Sequence, residues 1–164
     1  MGKPPPMPQS LEELAVEASL PVPFVERLAD AAQIGDRPFR DVVDRALELL
    51  AGVVPRWPVL EEWNRWCFQR GMSFLVWQSH PRDLDERARL EAFVHTLGML
   101  AARRRNIDDY RRAGIEAAEV VMAGDDCAIC DQHRHRVVPL ETPALGELPP
   151  FHPGCRCGTL PRLE

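Results

Sequence analysis

Four of the five cysteines fall in two short pairs near the end of the chain, Cys127-Ala128-Ile129-Cys130 and Cys155-Arg156-Cys157. The second pair follows Pro149-Pro150-Phe151-His152-Pro153-Gly154, and His133 and His135 stand between the pairs. Paired thiols on tight turns with imidazoles nearby are the donors of a structural zinc site. Each pair covers one side of a tetrahedron, with thiolate sulfur ~2.3 Å from the ion. Cys127, Cys130, Cys155 and Cys157 form the leading ligand set. In the main variant His152 replaces one of the late cysteines. His133 and His135 are weaker candidates, because a histidine on a polar turn is usually just solvated. Pro153 and Gly154 stiffen the chain and then redirect it ahead of the late pair.

Other chemistries fit these residues less well. A redox dithiol needs an electropositive setting, whereas Asp125 and Asp126 directly precede Cys127 and oppose thiolate formation. A catalytic zinc needs an open coordination position and a base. His133-Arg134-His135 lacks the glutamate of the zinc deaminases, and no His-Glu-x-x-His occurs. No Ser-His-Asp order or phosphate-cradling glycine loop suggests a hydrolase. The expectation is a non-enzymatic protein with a structural Zn2+. Such an ion can contribute ~10 kcal/mol or more to folding, which a small module with few large apolar groups requires.

A chain of 164 residues suffices for one hydrophobic core, or for a helical domain with a small metal-stapled companion. With 45% apolar and 27% charged residues it has the composition of a globular protein. Its net charge of -5 opposes indiscriminate attraction to nucleic acid or anionic membrane. No apolar run reaches the ~18–20 residues that span a bilayer, and the first residues lack the apolar stretch of a secretory signal. The expected location is the cytoplasm, where thiols stay reduced and clustered cysteines favour metal over disulfides.

The pattern that must position these donors is mostly helical. Residues 1–9 read as a disordered proline-rich tail. Ser10 with Glu13 forms a capping box for a helix to about Leu20, and a second helix runs from Pro23 to about Ile34. The stripe Phe39, Val42, Val43, Ala46, Leu47 and Leu50 marks a third, and Leu60, Trp63, Trp66 and Cys67 a fourth. Met72 to Trp77 is apolar without a decisive period. The longest helix is predicted from about Arg82 to Arg105, its terminal arginines suiting the helix dipole, with a separate helical turn from Ile107 to Ala113. Glu119–Met122 and Arg136–Leu140 read as short strands around the first cysteine pair. The sequence therefore predicts a mainly α chain with a small zinc-bound β-hairpin or knuckle, an α+β class: helical body 10–114, module 115–164.

From about Tyr110 to Pro161 the chain resembles the C-terminal domain of phage Mu F-like minor head proteins, the head-morphogenesis family. The matching strings are Tyr110-Arg111-Arg112-Ala113-Gly114-Ile115, then Asp125-Asp126-Cys127-Ala128-Ile129-Cys130, then Leu148-Pro149-Pro150-Phe151-His152-Pro153-Gly154-Cys155-Arg156-Cys157. The last string is the specific one. The turn Gln132-His133-Arg134-His135 departs from the pattern by lacking a glycine. The resemblance covers about a third of the chain. It implies a virion or prophage protein in the host cytoplasm, associated with portal or capsid proteins and involved in head assembly, DNA packaging or delivery. Similar domains also accompany toxin enzymes, so the fold does not fix the function.

A competing signal lies near the start. Residues 11–30 fit a helix-turn-helix, with Ala15 small, Ser19 where the turn usually has glycine, and Val25 and Leu28 apolar. The alternative is thus a small zinc-containing DNA-binding regulator. Its recognition segment, Pro23 to Asp30, carries Glu26 and Asp30 against Arg27 alone, a poor surface for phosphate. Trp57, Trp63, Trp66 and Trp77 read chiefly as core.

Overall fold

The computed structural model describes residues 2–32, 38–51, 53, 55, 57–71, 85–122, 127–141 and 147–163. The run Met72 to Trp77 and the pair Asp125-Asp126 lie outside them. Among the described residues five helices come first: α1 Leu11–Ala18, α2 Val22–Ala31, α3 Phe39–Leu50, α4 Pro58–Phe68 and α5 Glu86–Arg112. Three strands follow: β1 Ala117–Val121, β2 Val137–Pro139 and β3 Gly158–Arg162. A 3-10 turn, Cys130–His133, lies between β1 and β2. The α+β class expected from the sequence is the one observed.

Local chemistry sets the helix ends. The Ser10 hydroxyl accepts from the Glu13 amide at 3.1 Å, and the Glu13 carboxylate accepts from the Gln9 amide at 2.7 Å. The capping box is present, its reciprocal bond shifted by one residue. Asp85 caps α5 by accepting from the Ala88 amide at 2.7 Å.

The long helix differs from expectation in a telling way. It runs unbroken for 27 residues to Arg112, and every residue from Ala92 to Gly98 is buried. Beyond Ala102 its residues are polar apart from Ile107 and Tyr110, so the apolar pattern fades before the helix ends. Its arginines do not mainly serve a helix end at 105. Arg87, Arg89 and Arg104 pair outward with Asp44 of α3, Glu61 of α4 and Glu26 of α2. Arg111 and Arg112 occupy the true last turn.

The sheet is three-stranded, in the order β2-β1-β3 and antiparallel throughout, where the sequence predicts only a hairpin. β3 escapes the pattern because its residues, Gly158-Thr159-Leu160-Pro161-Arg162, are at most half-buried and lack an apolar alternation. The end of α5 holds both edges: Tyr110 Oη donates to the Thr159 carbonyl at 3.0 Å, and Arg111 Nε to the Leu140 carbonyl at 3.0 Å.

Gly114 does mark the change from helix to strand, with φ 73°, but the core is not divided there. Ile129, Cys130, Leu148, Phe151, Cys155 and Cys157 belong to the same buried cluster as Trp63, Phe93 and Leu97. Burying a side chain such as Leu97 or Phe93 is worth roughly 1.5–3 kcal/mol, so helices and knuckle stabilise one another. Residues 2–9, a mobile tail by sequence, lie along α4 with Met7 and Pro8 buried. Their prolines already restrict the backbone, which lowers the entropy lost on docking.

Candidate metal centre

The two cysteine pairs converge because β1 leads to one of them and β3 leads away from the other. Cys127 and Cys130 sit where the chain leaves β1, Cys130 opening the 3-10 turn. Cys155 and Cys157 immediately precede β3. β1 and β3 are hydrogen-bonded neighbours, with Val121 opposite Gly158. Between His152 and Cys155 the chain reverses through Gly154, whose φ of 77° is in the left-handed region that suits glycine. The Cys155 amide closes this turn by donating to the His152 carbonyl at 3.1 Å.

All five residues named by sequence as ligands come together. Cys127 Sγ and Cys130 Sγ stand 3.2 and 3.1 Å from His152 Nε2. Cys130 Sγ is 3.8 Å from Cys155 Sγ, the sulfur–sulfur edge of a tetrahedron whose metal–sulfur bonds are ~2.3 Å. The donors form two triples, Cys127–Cys130–His152 and Cys130–Cys155–Cys157, with donor atoms in each within 4.8 Å of one another. Cys130, Cys155, Cys157 and His152 are buried and Cys127 is half-buried.

The imidazole is oriented for ligation. His152 Nδ1–H donates to the Pro153 carbonyl at 2.7 Å, which leaves the lone pair of Nε2 facing the sulfurs. Such a backbone partner fixes tautomer and ring direction in metal-binding histidines. Burial alone lowers the His152 pKa, but the bond to Cys127 and the charges of Cys155 and Cys127 outweigh it and raise it.

Among themselves the thiols divide their protons. Cys127 is pushed down to about 4 by hydrogen bonding from Cys130 and then His152, against the effect of burial. Cys155 is held down at about 2 by bonds from Cys130 and Cys157. Cys130 is pushed up by its bonds to Cys127, Cys155 and Cys157. For Cys157 a bond with Cys130 acts downward, but its bond to Cys155, burial and nearby thiolate charge lift it to about 12. Four close sulfurs cannot all be anionic without a counter-charge. A divalent cation supplies one and stabilises every thiolate. The cluster could therefore hold a metal ion.

The other histidines take different roles. His133 stacks on Phe151, rings 3.8 Å apart and 6° from parallel. His135 is exposed, with Nδ1 2.8 Å from Glu119 Oε1. Neither joins a donor triple. Two neighbours went unmarked by sequence as part of this site. Trp63 of α4 lies 6.4 Å from the His152 ring. His95 of α5 is buried, and desolvation lowers its pKa to about 4, with Cys155 the leading opposing charge. A histidine within the apolar side of the longest helix was the available signal.

Fold and site define a class: a mainly α protein whose C-terminal sheet carries a Cys/His cluster suited to a metal ion. Among the described residues no helix is long and apolar enough to cross a membrane. The chain matches no family model, no curated protein and no solved structure.

Proposed function

We propose that the chain is a non-enzymatic assembly protein of a phage or prophage head, whose knuckle is held by one structural Zn2+ and whose helices bind portal or capsid proteins. The observation that carries this is the convergence on one cluster of the residues that carry the resemblance to minor head proteins. His152, Cys155 and Cys157 of the narrow C-terminal string meet Cys127 and Cys130. Zinc follows from the donor set, since soft thiolates with one imidazole and tetrahedral spacing suit it above harder cations. The ion is structural because the cluster supplies enough protein donors to fill four positions.

Elemental analysis tests the metal: about one zinc per chain is expected, and less than a fifth of that defeats it. Affinity capture from a lysogen tests the role. Recovery of portal or capsid protein supports it, and recovery of DNA alone favours the competitor.

That competitor, a zinc-containing DNA-binding regulator, draws on one observation. α1 and α2 pack together around a turn in which Ser19 takes φ 55°, with Ala15, Val25 and Leu28 buried beneath it. Against it, Glu26 is paired with Arg104, and the exposed charges of α2 are Arg27 and Asp30, which balance. Tight duplex binding with a steep salt slope would establish the regulator; absence of binding at moderate salt removes it.

A further inference from the structure

Trp63 and Trp66 of α4 and Arg70 in the turn after it are spaced three to four residues apart, and their donors form a ladder against the Pro6 and Gly2 carbonyls. Trp63 Nε1 donates to the Pro6 carbonyl at 3.3 Å, and Trp66 Nε1 to the Gly2 carbonyl at 3.2 Å. Arg70 adds a bond to the Gly2 carbonyl at 3.4 Å, lies 4.0 Å above the Trp66 ring, and is itself anchored to the Trp66 carbonyl at 2.9 Å. The segment runs antiparallel to the helix, Pro6 beside Trp63 and Gly2 beside Trp66.

This is how extended proline-rich ligands are recognised. Pro4, Pro5, Pro6 and Pro8 have no amide hydrogen, so such a segment offers mainly carbonyls and ring faces. Indole N–H groups on an aromatic surface meet both needs, and the prolines' fixed φ keeps the ordering entropy small.

We propose that this ladder is a docking groove for proline-rich segments, filled in cis by residues 2–9 and open by exchange to a proline-rich segment of a partner protein. Two features favour exchange. The ladder bonds to residues 2–6 lie at the long end of the hydrogen-bond range, and Gly2, Lys3, Pro4 and Pro6 are exposed, while Met7 and Pro8 are buried and Gln9 is tied to Glu13. The segment also leaves the groove incompletely filled. A cavity of about 250 Å³ remains between Pro4 and Met7 on one side and Ile129, His133 and Phe151 on the other. Bulkier side chains on a partner would fill it. The groove stands on α4 and the stacked Phe151, whether or not the assembly role holds.

The test uses full-length chains with 15N-labelled indoles and a synthetic peptide of the sequence Gly2 to Gln9. One chain is wild type; the other carries Pro4→Gly, Pro5→Gly and Pro6→Gly, which removes the stiffness of the cis segment. A tethered segment competes at an effective concentration on the order of mM, so the variant should respond at peptide concentrations at least about tenfold lower than wild type. The Trp63 and Trp66 indole signals should shift saturably, a Gly/Ser peptide of equal length should move neither, and Trp66→Phe in the variant should weaken the response about fivefold or more. Equal response to the Gly/Ser peptide overturns the proposal, as does indole silence in the variant. Should the variant fail to fold, wild type with the same peptide carrying a C-terminal nitroxide spin label, at several mM, decides alone: saturable broadening of the Trp63 and Trp66 indole signals upholds the groove and its absence refutes it.

Discussion

Cys130 Sγ stands 3.8 Å from Cys155 Sγ and 3.1 Å from His152 Nε2, so one thiol is shared by both halves of the donor cluster. Cys157 belongs to one half only. With the proposed Zn2+ bound, five candidate donors would compete for four tetrahedral positions, and the peripheral ones would substitute for each other more readily than for Cys130. Cys130→Ser should weaken metal binding roughly a hundredfold or more, and Cys157→Ser at least about tenfold less than that. Competition against a chromophoric chelator reads both numbers. Equal losses would mean that the sharing seen in the cluster has no energetic consequence.

Chelation should reach beyond the knuckle. Cys155 and Phe151 share a core with Trp63 and Phe93, and Trp63 lies 6.4 Å from His152. With a structural metal worth several kcal/mol, the stripped protein should melt roughly 10 °C or more below the loaded one. Amide exchange should accelerate in α4 around Trp63 as well as in β1–β3. Acceleration confined to residues 115–160 would show two independent units after all.

The sequence revealed whatever depends on local spacing. The Ser10 cap, the apolar stripe of α3 and the pairing of two short thiol motifs are visible in the letters alone, whereas the Asp85 cap of α5 is not. Long-range packing is where it fell short. α5 read as two pieces because the polar run Arg103 to Asn106 interrupts the apolar pattern, although the helix continues through it. β3 has no apolar alternation, and its existence follows from pairing with β1. Residues 2–9 looked mobile because nothing local shows that Trp63 and Trp66, some sixty positions away, donate to their carbonyls. The five residues named from the sequence do come together, but their grouping into two triples around Cys130 is a tertiary fact.

Glu119 gives the sheet a pH-dependent tie. Its hydrogen bond from His135, with a second from Arg162 at 2.9 Å, holds the carboxyl below the ordinary carboxylate range. A depressed folded pKa means that the unfolded chain takes up the proton first. The contribution is therefore full above the unfolded value of ~4.3 and fades as pH falls through the folded one. Glu119→Gln should lower the urea midpoint at pH 7, and the gap to wild type should close on acidification toward pH 3. A gap that stays constant would assign the effect to packing instead of charge.

The turn that lacks an expected glycine has an answer in the backbone. His135 takes φ 60°, the left-handed conformation a glycine would adopt freely, and its amide donates to the Val120 carbonyl at 3.1 Å. The side chain partly offsets this strain through its 2.8 Å bond to Glu119. His135→Gly and His135→Val both lose that bond, so they differ mainly in tolerance for the backbone. Valine, branched at Cβ, meets the steric penalty in full, while glycine meets none and loses some stability only through its freer unfolded state. The glycine variant should be the more stable by about 1 kcal/mol or more, read from urea unfolding at neutral pH with metal bound. Equal stability would show that the loop relaxes out of the left-handed region once histidine is gone, and that the bond to Glu119, not the fold, imposes the conformation.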